Sequence, residues 1–368
     1  MNSFAWGRFL DHYYCDSIVN STPNETIKTL INQRFEWFDR SKQDGIYWTQ
    51  DIACIPNFKE ELIMFLFESI PWYSALMWLV VLGGLMILNE IARRSKWISI
   101  ILFIAVPIIL TIAVWPNTAG KGSSTGTWFH WVKVYSALAG CIGFMALRFV
   151  KGWDKNKYIL MFPAIILAIN ILEAVIRDFQ VYSLEGMVDG VMMVGGPWNI
   201  MNGIAGILNI ITISGWMGIV ISKDKSRDML WPDQLWFWII AYDIWNFAYV
   251  YNAVSDHSFY AGAALLISCT IPAFFFKKGA WLQHRAQTLA FWMMFTMSFP
   301  AFVGDSKFSV QSSHSETALW VVSGLSLAAN IAVFVYHFYK ITKHKRNPLK
   351  VEVYTDLAAY KEIAESAK

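Results

Sequence analysis

In the stretch from Gln234 to Val254, QLWFWIIAYDIWNFAYVYNAV, a carboxylate and two amides interrupt an otherwise apolar and aromatic run. At about 100° per residue on a helix, Tyr242, Asp243, Asn246 and Tyr249 fall within one arc of about 120°. A carboxylate at mid-bilayer costs at least ~2.5–3.5 kcal/mol unless it is paired, protonated or wetted. This arc must therefore face protein or a water-filled cavity. An acid among aromatic faces suits cations, and it could also exchange protons.

Two further stretches carry groups of the same kind. Asn199, Asn202, Gly206 and Asn209 recur at helical spacing on one face, the glycine letting another helix approach and the amides offering donors and acceptors. Asn170, Glu173 and Arg177 share a face, and Glu173 and Arg177 stand four apart in the order that favours mutual neutralisation. At ~1.5 Å per residue, Asp243, Asn209 and Asn170 come near the bilayer centre, with Glu173 and Asn202 nearer the outer surface. The rim adds His130, Lys133, Asp178, Asp256, His257, Asp305, His314 and Glu316. The expectation is a hydrated pocket floored by Asp243 and open to the outside. The alternative is that these groups hydrogen-bond between helices and hold a bundle together.

The three outer histidines with nearby carboxylates could bind zinc. They are scattered over different loops without HExxH spacing, so solvated or interfacial histidines are the simpler reading. There is no CxxC, GxSxG, Walker loop or dinucleotide fingerprint, and no cofactor is indicated. Lys133 is expected near an outer helix end, where its ammonium would snorkel to the headgroups.

The elements that must position these residues are membrane spans. The 368 residues are 56% hydrophobic and 15% charged, and the apolar residues come in blocks of a length that crosses a bilayer. The fold class is an all-α polytopic membrane protein with nine spans. They run near 70–90, 97–115, 129–149, 158–177, 200–221, 234–254, 259–276, 285–304 and 318–339. The pocket belongs to spans four to six. The 19 Trp and 15 Tyr suit bilayer interfaces. A net charge of +3, concentrated in short loops, does not imply nucleic acid; the lipid bilayer is the expected partner, and the oligomeric state is open.

Every second connection is basic, through Arg93, Arg94 and Lys96, then Arg148 to Lys157, Lys223 to Arg227, Lys277 to Arg285, and Lys340 to Lys350. The positive-inside rule puts those connections and the carboxyl terminus in the cytoplasm, and the amino terminus outside. Three segments result: a polar, partly helical extracytoplasmic tail at 1–63, the membrane domain at 64–340, and a basic cytoplasmic tail at 341–368. The first tail holds a capping box at Thr22 to Glu25 and two thiols, Cys15 and Cys54, that could pair outside the cytoplasm. It shows no signal peptide, and a natural start near Met64 is the alternative. Trp131 to Lys151 aligns without gaps on Trp320 to Lys340, so spans one to three are expected to repeat, in parallel, as seven to nine.

The runs FLFESIPWYSALMWLVVLGGLMILNEIARRSKW, TWFHWVKVYSALAGCIGFMALRF and AYDIWNFAYVYN resemble a bacterial multi-pass family, a domain of unknown function, over roughly residues 64–348. The resemblance implies a bacterial inner-membrane protein and carries no catalytic residue, substrate or cofactor. From the residues themselves the leading function is transport or binding of a small polar or cationic solute through an outward-facing pocket. The alternatives are an intramembrane enzyme acting on a lipid-like substrate through Asp243, Glu173 and the rim histidines, or a sensor using the outer tail.

Overall fold

Apolar blocks set the helices, and proline, serine or threonine marks where some of them begin. The computed structural model describes residues 65–120, 123–188 and 190–367. The expectations for the 1–63 tail, including its helix and the Cys15–Cys54 pair, lie outside the described residues. Helix α1 (Trp72–Arg94) starts after Pro71 and ends on two arginines, which suit the carbonyl end of a helix. Helix α2 (Lys96–Thr118) widens into π-turns at Ile101–Ala105 and Leu110–Val114, on either side of Pro107. A proline supplies no N–H to the ladder, and wider turns are one way to absorb it. Helix α3 (Trp128–Phe149) is capped by Thr127, whose hydroxyl accepts from the His130 N–H at 3.4 Å.

Helix α4 (Ile159–Val181) leads into a short hairpin, β1 (Glu185–Val188) paired antiparallel with β2 (Val191–Val194). Helix α5 (Pro197–Ile211) follows, its first turn closed by Asn199, which accepts from the Gly196 N–H at 3.1 Å. A second small hairpin, β3 (Val220–Ile221) with β4 (Met229–Leu230), precedes helix α6 (Trp236–Ala253). Helices α7 (Ser255–Phe275), α8 (Trp281–Ser298), α9 (Glu316–His344) and α10 (Ala358–Ser366) complete the chain.

Six of these helices, α1, α2, α3, α4, α7 and α9, are long and apolar enough to cross a membrane. The other three expected spans differ from them. Helix α5 has only 15 residues and ends at Ile211, ten residues short of the span expected at 200–221. The Thr212 hydroxyl bonds back to the Leu208 carbonyl at 2.8 Å, and the chain then turns at Gly215, where φ is +60°. Glycine is needed there on a second count: a Cβ would come within 2.6 Å of the Asp233 Cβ. Helices α6 and α8 have 18 residues each and are buried on almost every side.

This burial inverts the pattern of a water-soluble bundle. The outermost helices present Leu79, Val80, Ile87, Ile108 and Ile112 outward and bury Ser74, Asn89 and Arg93. The central helix α8 buries Gln283, His284, Arg285, Gln287 and Thr288. Hydrocarbon solvates apolar side chains as well as a protein core does, so the bundle gathers its polar groups inside, where they can bond to one another. Close packing helps: a Cβ on Gly206 of α5 would lie 2.5 Å from Val175 of α4 and 2.8 Å from the Trp245 ring of α6.

The basic connections share one end of the bundle and are tied by Asp228, which is fully buried. Its carboxylate accepts from Arg93 Nη1 at 2.7 Å, Gln283 Nε2 at 2.8 Å and Ser226 Oγ at 2.6 Å. Arg148 Nη2 stands 3.8 Å away and donates to the Ser226 carbonyl at 2.7 Å. Helices α1, α3 and α8 are thereby fastened to the 222–228 loop. The segment expected as a basic tail is folded here too. The backbone N–H groups of Val353 and Tyr354 each donate to Asp233 at 2.8 Å, and Lys340 pairs with Asp356. Lys278 meets Glu362 of α10 at 2.5 Å.

Candidate functional site

A cavity of about 60 Å³ lies among α3, α4, α6, α7 and α8. On α6, Tyr242, Asn246, Tyr249 and Val250 line it at spacings of four, three and one. Helix α3 contributes Phe129, His130 and Lys133, and α4 contributes Asn170 and Ala174. Helix α7 brings His257, Ala261 and Leu265, and α8 brings Arg285, Leu289, Trp292 and Met293. The His130, Lys133, His257 and Arg285 side chains around it are all buried.

Its depth follows from helix geometry. His130 lies two residues inside α3, from the end opposite the basic connections. Arg285 lies four residues, about 6 Å, inside α8 from the basic end. A smaller cavity of about 30 Å³ continues in that direction, bounded by Ser136, Gly140 and Phe144 of α3 and by Leu282 and Ala286 of α8. The two cavities share Asn170, Tyr242, Arg285 and Leu289. Arg285 and Tyr242 form the partition between them, with the guanidinium carbon 6.0 Å from the ring centre. Tyr242 is itself held between Trp238 and Trp281, at ring distances of 5.5 and 4.8 Å.

The polar lining consists largely of donors. Lys133 Nζ bonds the Asn170 carbonyl at 2.8 Å and the Glu173 carboxylate at 2.8 Å. Arg285 donates from Nη2 to Asn246 Oδ1 at 3.2 Å. Its Nε and Nη1, the Tyr249 hydroxyl and His257 Nε2 are buried without a hydrogen-bond partner among the described residues. The other ring nitrogen pair is partly engaged: His130 Nδ1 meets the Thr127 hydroxyl at 2.8 Å, and the His130 and His257 rings are 5.3 Å apart.

Of the nine residues singled out from sequence, four line the cavity: Asn170, Tyr242, Asn246 and Tyr249. Asp243 does not. One position along from Tyr242 turns it by about 100°, and its Oδ2 accepts from the Thr270 hydroxyl of α7 at 2.7 Å. Trp281 Nε1 donates to the same Thr270 oxygen at 3.2 Å. The expected acidic floor is therefore replaced by Arg285. Glu173 turns to Lys133 and Ser136, not to Arg177, because α3 packs along that face of α4. Lys133 is accordingly buried rather than reaching headgroups. Arg177 donates to Gln180 at 3.1 Å, one turn further along its own helix.

Asn202 and Asn209 stay outside the cavity. Asn202 donates to Asp178 at 2.8 Å and accepts from Ser326 of α9 at 2.7 Å; Asn199 also donates to Asp178, at 3.3 Å. Asp178, read as a rim residue, is fully buried and links α4 to α5. Asn209 is buried with neither amide atom partnered among the described residues. Asn199 and Asn202 thus bond between helices, and Asn209 makes no such bond among the described residues. Arg285 and Asp228 were the residues that sequence reasoning missed. Both stood in connections counted only as basic charge, although Arg285 falls inside the Gln283-His284-Arg285 run, which is polar on every face for three consecutive residues.

Six helices long and apolar enough to cross a membrane, with their polar side chains turned inward, define an integral multi-pass membrane protein. Residues 68–366 match the model of a family of unknown function (DUF5692), and the chain belongs to that family. The match extends past the boundary near 348 expected from sequence and includes the folded carboxyl segment. No curated protein matches the chain, and no solved structure does.

Proposed function

We propose that this is a bacterial inner-membrane protein that binds, and passes across the bilayer, a small polar solute. The observation that supports it is the pair of cavities in series, divided by Arg285 and Tyr242. Two chambers in series suit alternating access, in which one side opens at a time. In this reading the shorter α5, α6 and α8 cross the membrane together with the six long helices, the basic connections face the cytoplasm, and spans one to three repeat as seven to nine. The cationic half of the original expectation is dropped, since the cavity lining contains Lys133 and Arg285 and no carboxylate.

The enzyme reading gains no specific support. Asp243 and Glu173 hydrogen-bond to Thr270, Lys133 and Ser136, and neither is bonded to a histidine. The sensor reading rests on residues outside those described.

Single cysteines test the pathway without knowledge of the solute. With the four natural cysteines replaced, Ala174→Cys places a thiol on the first cavity and Ala137→Cys on the second. A membrane-impermeant maleimide should label the first from the extracytoplasmic side and the second from the cytoplasmic side. If neither thiol is labelled from either side over hours, the cavities are packing defects and the transport reading fails.

A further inference from the structure

The geometry points to the class of solute: a small monocarboxylate, its carboxyl group held by Arg285 and its short apolar chain packed against the opposite wall. This rests on reading the first cavity as a solute site.

The argument starts from charge. Lys133 already has a counter-ion in Glu173 at 2.8 Å. Arg285 has no carboxylate within 4.0 Å among the described residues; Asp243 contributes to the field around it but is bonded to Thr270. A guanidinium stays charged in any protein environment, and burying one without a counter-ion is costly. Arg285 thus has Asp243 as a charge nearby but no carboxylate bonded to it at the cavity wall.

Hydrogen-bond geometry narrows the class. Asn246 uses a single hydrogen of Nη2, while Nε and Nη1 have no partner. Of the two donor edges of a guanidinium, Nε with Nη2 and Nη1 with Nη2, one therefore keeps both of its N–H bonds. Two parallel N–H groups match the two oxygens of a carboxylate. A halide cannot use both hydrogens with the same directionality. The unpartnered Tyr249 hydroxyl and His257 Nε2 are additional groups that could bond an oxygen-rich ligand. Val250, Leu265, Leu289 and Met293 give the wall an apolar side for a short hydrocarbon chain. A volume of about 60 Å³ limits the body to a few carbons.

Isothermal titration of the purified full-length protein with sodium butyrate, sodium chloride and choline chloride, at matched ionic strength, tests the assignment. Butyrate should bind saturably, with chloride at least tenfold weaker and choline not at all. Arg285→Gln should abolish the butyrate signal. Because that variant risks misfolding, Leu289→Trp, which fills the apolar wall and leaves Arg285 in place, should weaken butyrate at least tenfold and spare smaller formate. Equal binding of chloride and butyrate would overturn the carboxylate assignment, and binding of choline would overturn the anionic one. No binding of any of the three would mean that trapped water alone satisfies Arg285. If the cysteines at 174 and 137 are labelled as expected while butyrate fails, the pathway stands and only the solute class falls.

Discussion

The Lys133 ammonium of α3 lies 2.8 Å from the Glu173 carboxylate of α4, with both side chains about nine-tenths buried. Removing one partner of such a pair leaves the other charge stranded, which costs about 3–5 kcal/mol, whereas replacing both with apolar groups is often close to neutral. Glu173→Gln should therefore lower stability to chemical unfolding in detergent by about that amount. The double variant Lys133→Met with Glu173→Leu should recover most of it. Equal loss in the single and double variants would show that packing, not charge, is what matters at this contact.

Asp228 should be the most sensitive carboxylate in the chain. It bonds Arg93, Gln283 and Ser226 and stands near Arg148, all within the basic end of the bundle. Asp228→Ala would leave two buried guanidiniums sharing one cavity and should cost about 3–5 kcal/mol or more. The readout is the yield of monodisperse protein and its midpoint of thermal aggregation. A midpoint within about 2 °C of wild type would contradict the role assigned to this residue, since ~1 kcal/mol moves a chain of this size by about 2–4 °C or less.

Asp243→Asn should be mild. The substituted amide keeps an oxygen that accepts from Thr270 Oγ1, now at 2.7 Å, and the residue does not line the cavity. Labelling at Ala174→Cys should change less than twofold. A tenfold change would restore Asp243 to the pathway.

Acid should loosen the basic end before the membrane helices. Burial alone would raise the Asp224 carboxyl, but Lys277 and the Ser226 and Ser222 hydroxyls more than offset it and hold the group well below the ordinary range. Lys340 is the first cause of a similar depression at Asp356. A depressed carboxylate adds stability that is fully present above its unfolded pKa, about 3.9, and is lost as pH falls through the lower folded value. Hydrogen exchange, corrected for intrinsic rates, should thus be steady in residues 222–228 from pH 7 to about pH 4 and rise below that. Asp224→Asn should bring the 222–228 increase up to neutral pH. Asp233 runs the other way: burial raises its carboxyl despite the two N–H bonds it accepts. Its contribution favours the fold at low pH and fades as pH rises through the raised value.

The helices were legible because bilayer thickness imposes a length on every apolar block: α2, α3 and α9 contain the spans expected near them, and α1 and α4 begin within two residues of theirs. Helix α5 was not, since its early stop depends on Gly215 approaching Asp233 from a distant loop. The cavity was half legible. Tyr242, Asn246 and Tyr249 repeat at helical spacing, and all three line the one cavity. Asp243 shares the stretch, but its direction is decided by Thr270, a residue with no mark in sequence. Charge was the main loss. Arg285 follows Lys277 and Lys278 and was counted with them as a cytoplasmic charge, yet one turn of helix carries it into the bundle.

The seat that Asp233 makes for Val353 and Tyr354 has a practical bearing on topology mapping. Reporter domains are commonly fused after the final apolar span, which here would mean cutting near Lys340. Such a fusion would strip Asp233 of both backbone donors and deprive His337 of the Tyr354 hydroxyl it meets at 2.8 Å. A negative reporter signal from that junction would then record an unfastened segment, not an orientation, and the reporter belongs beyond α10.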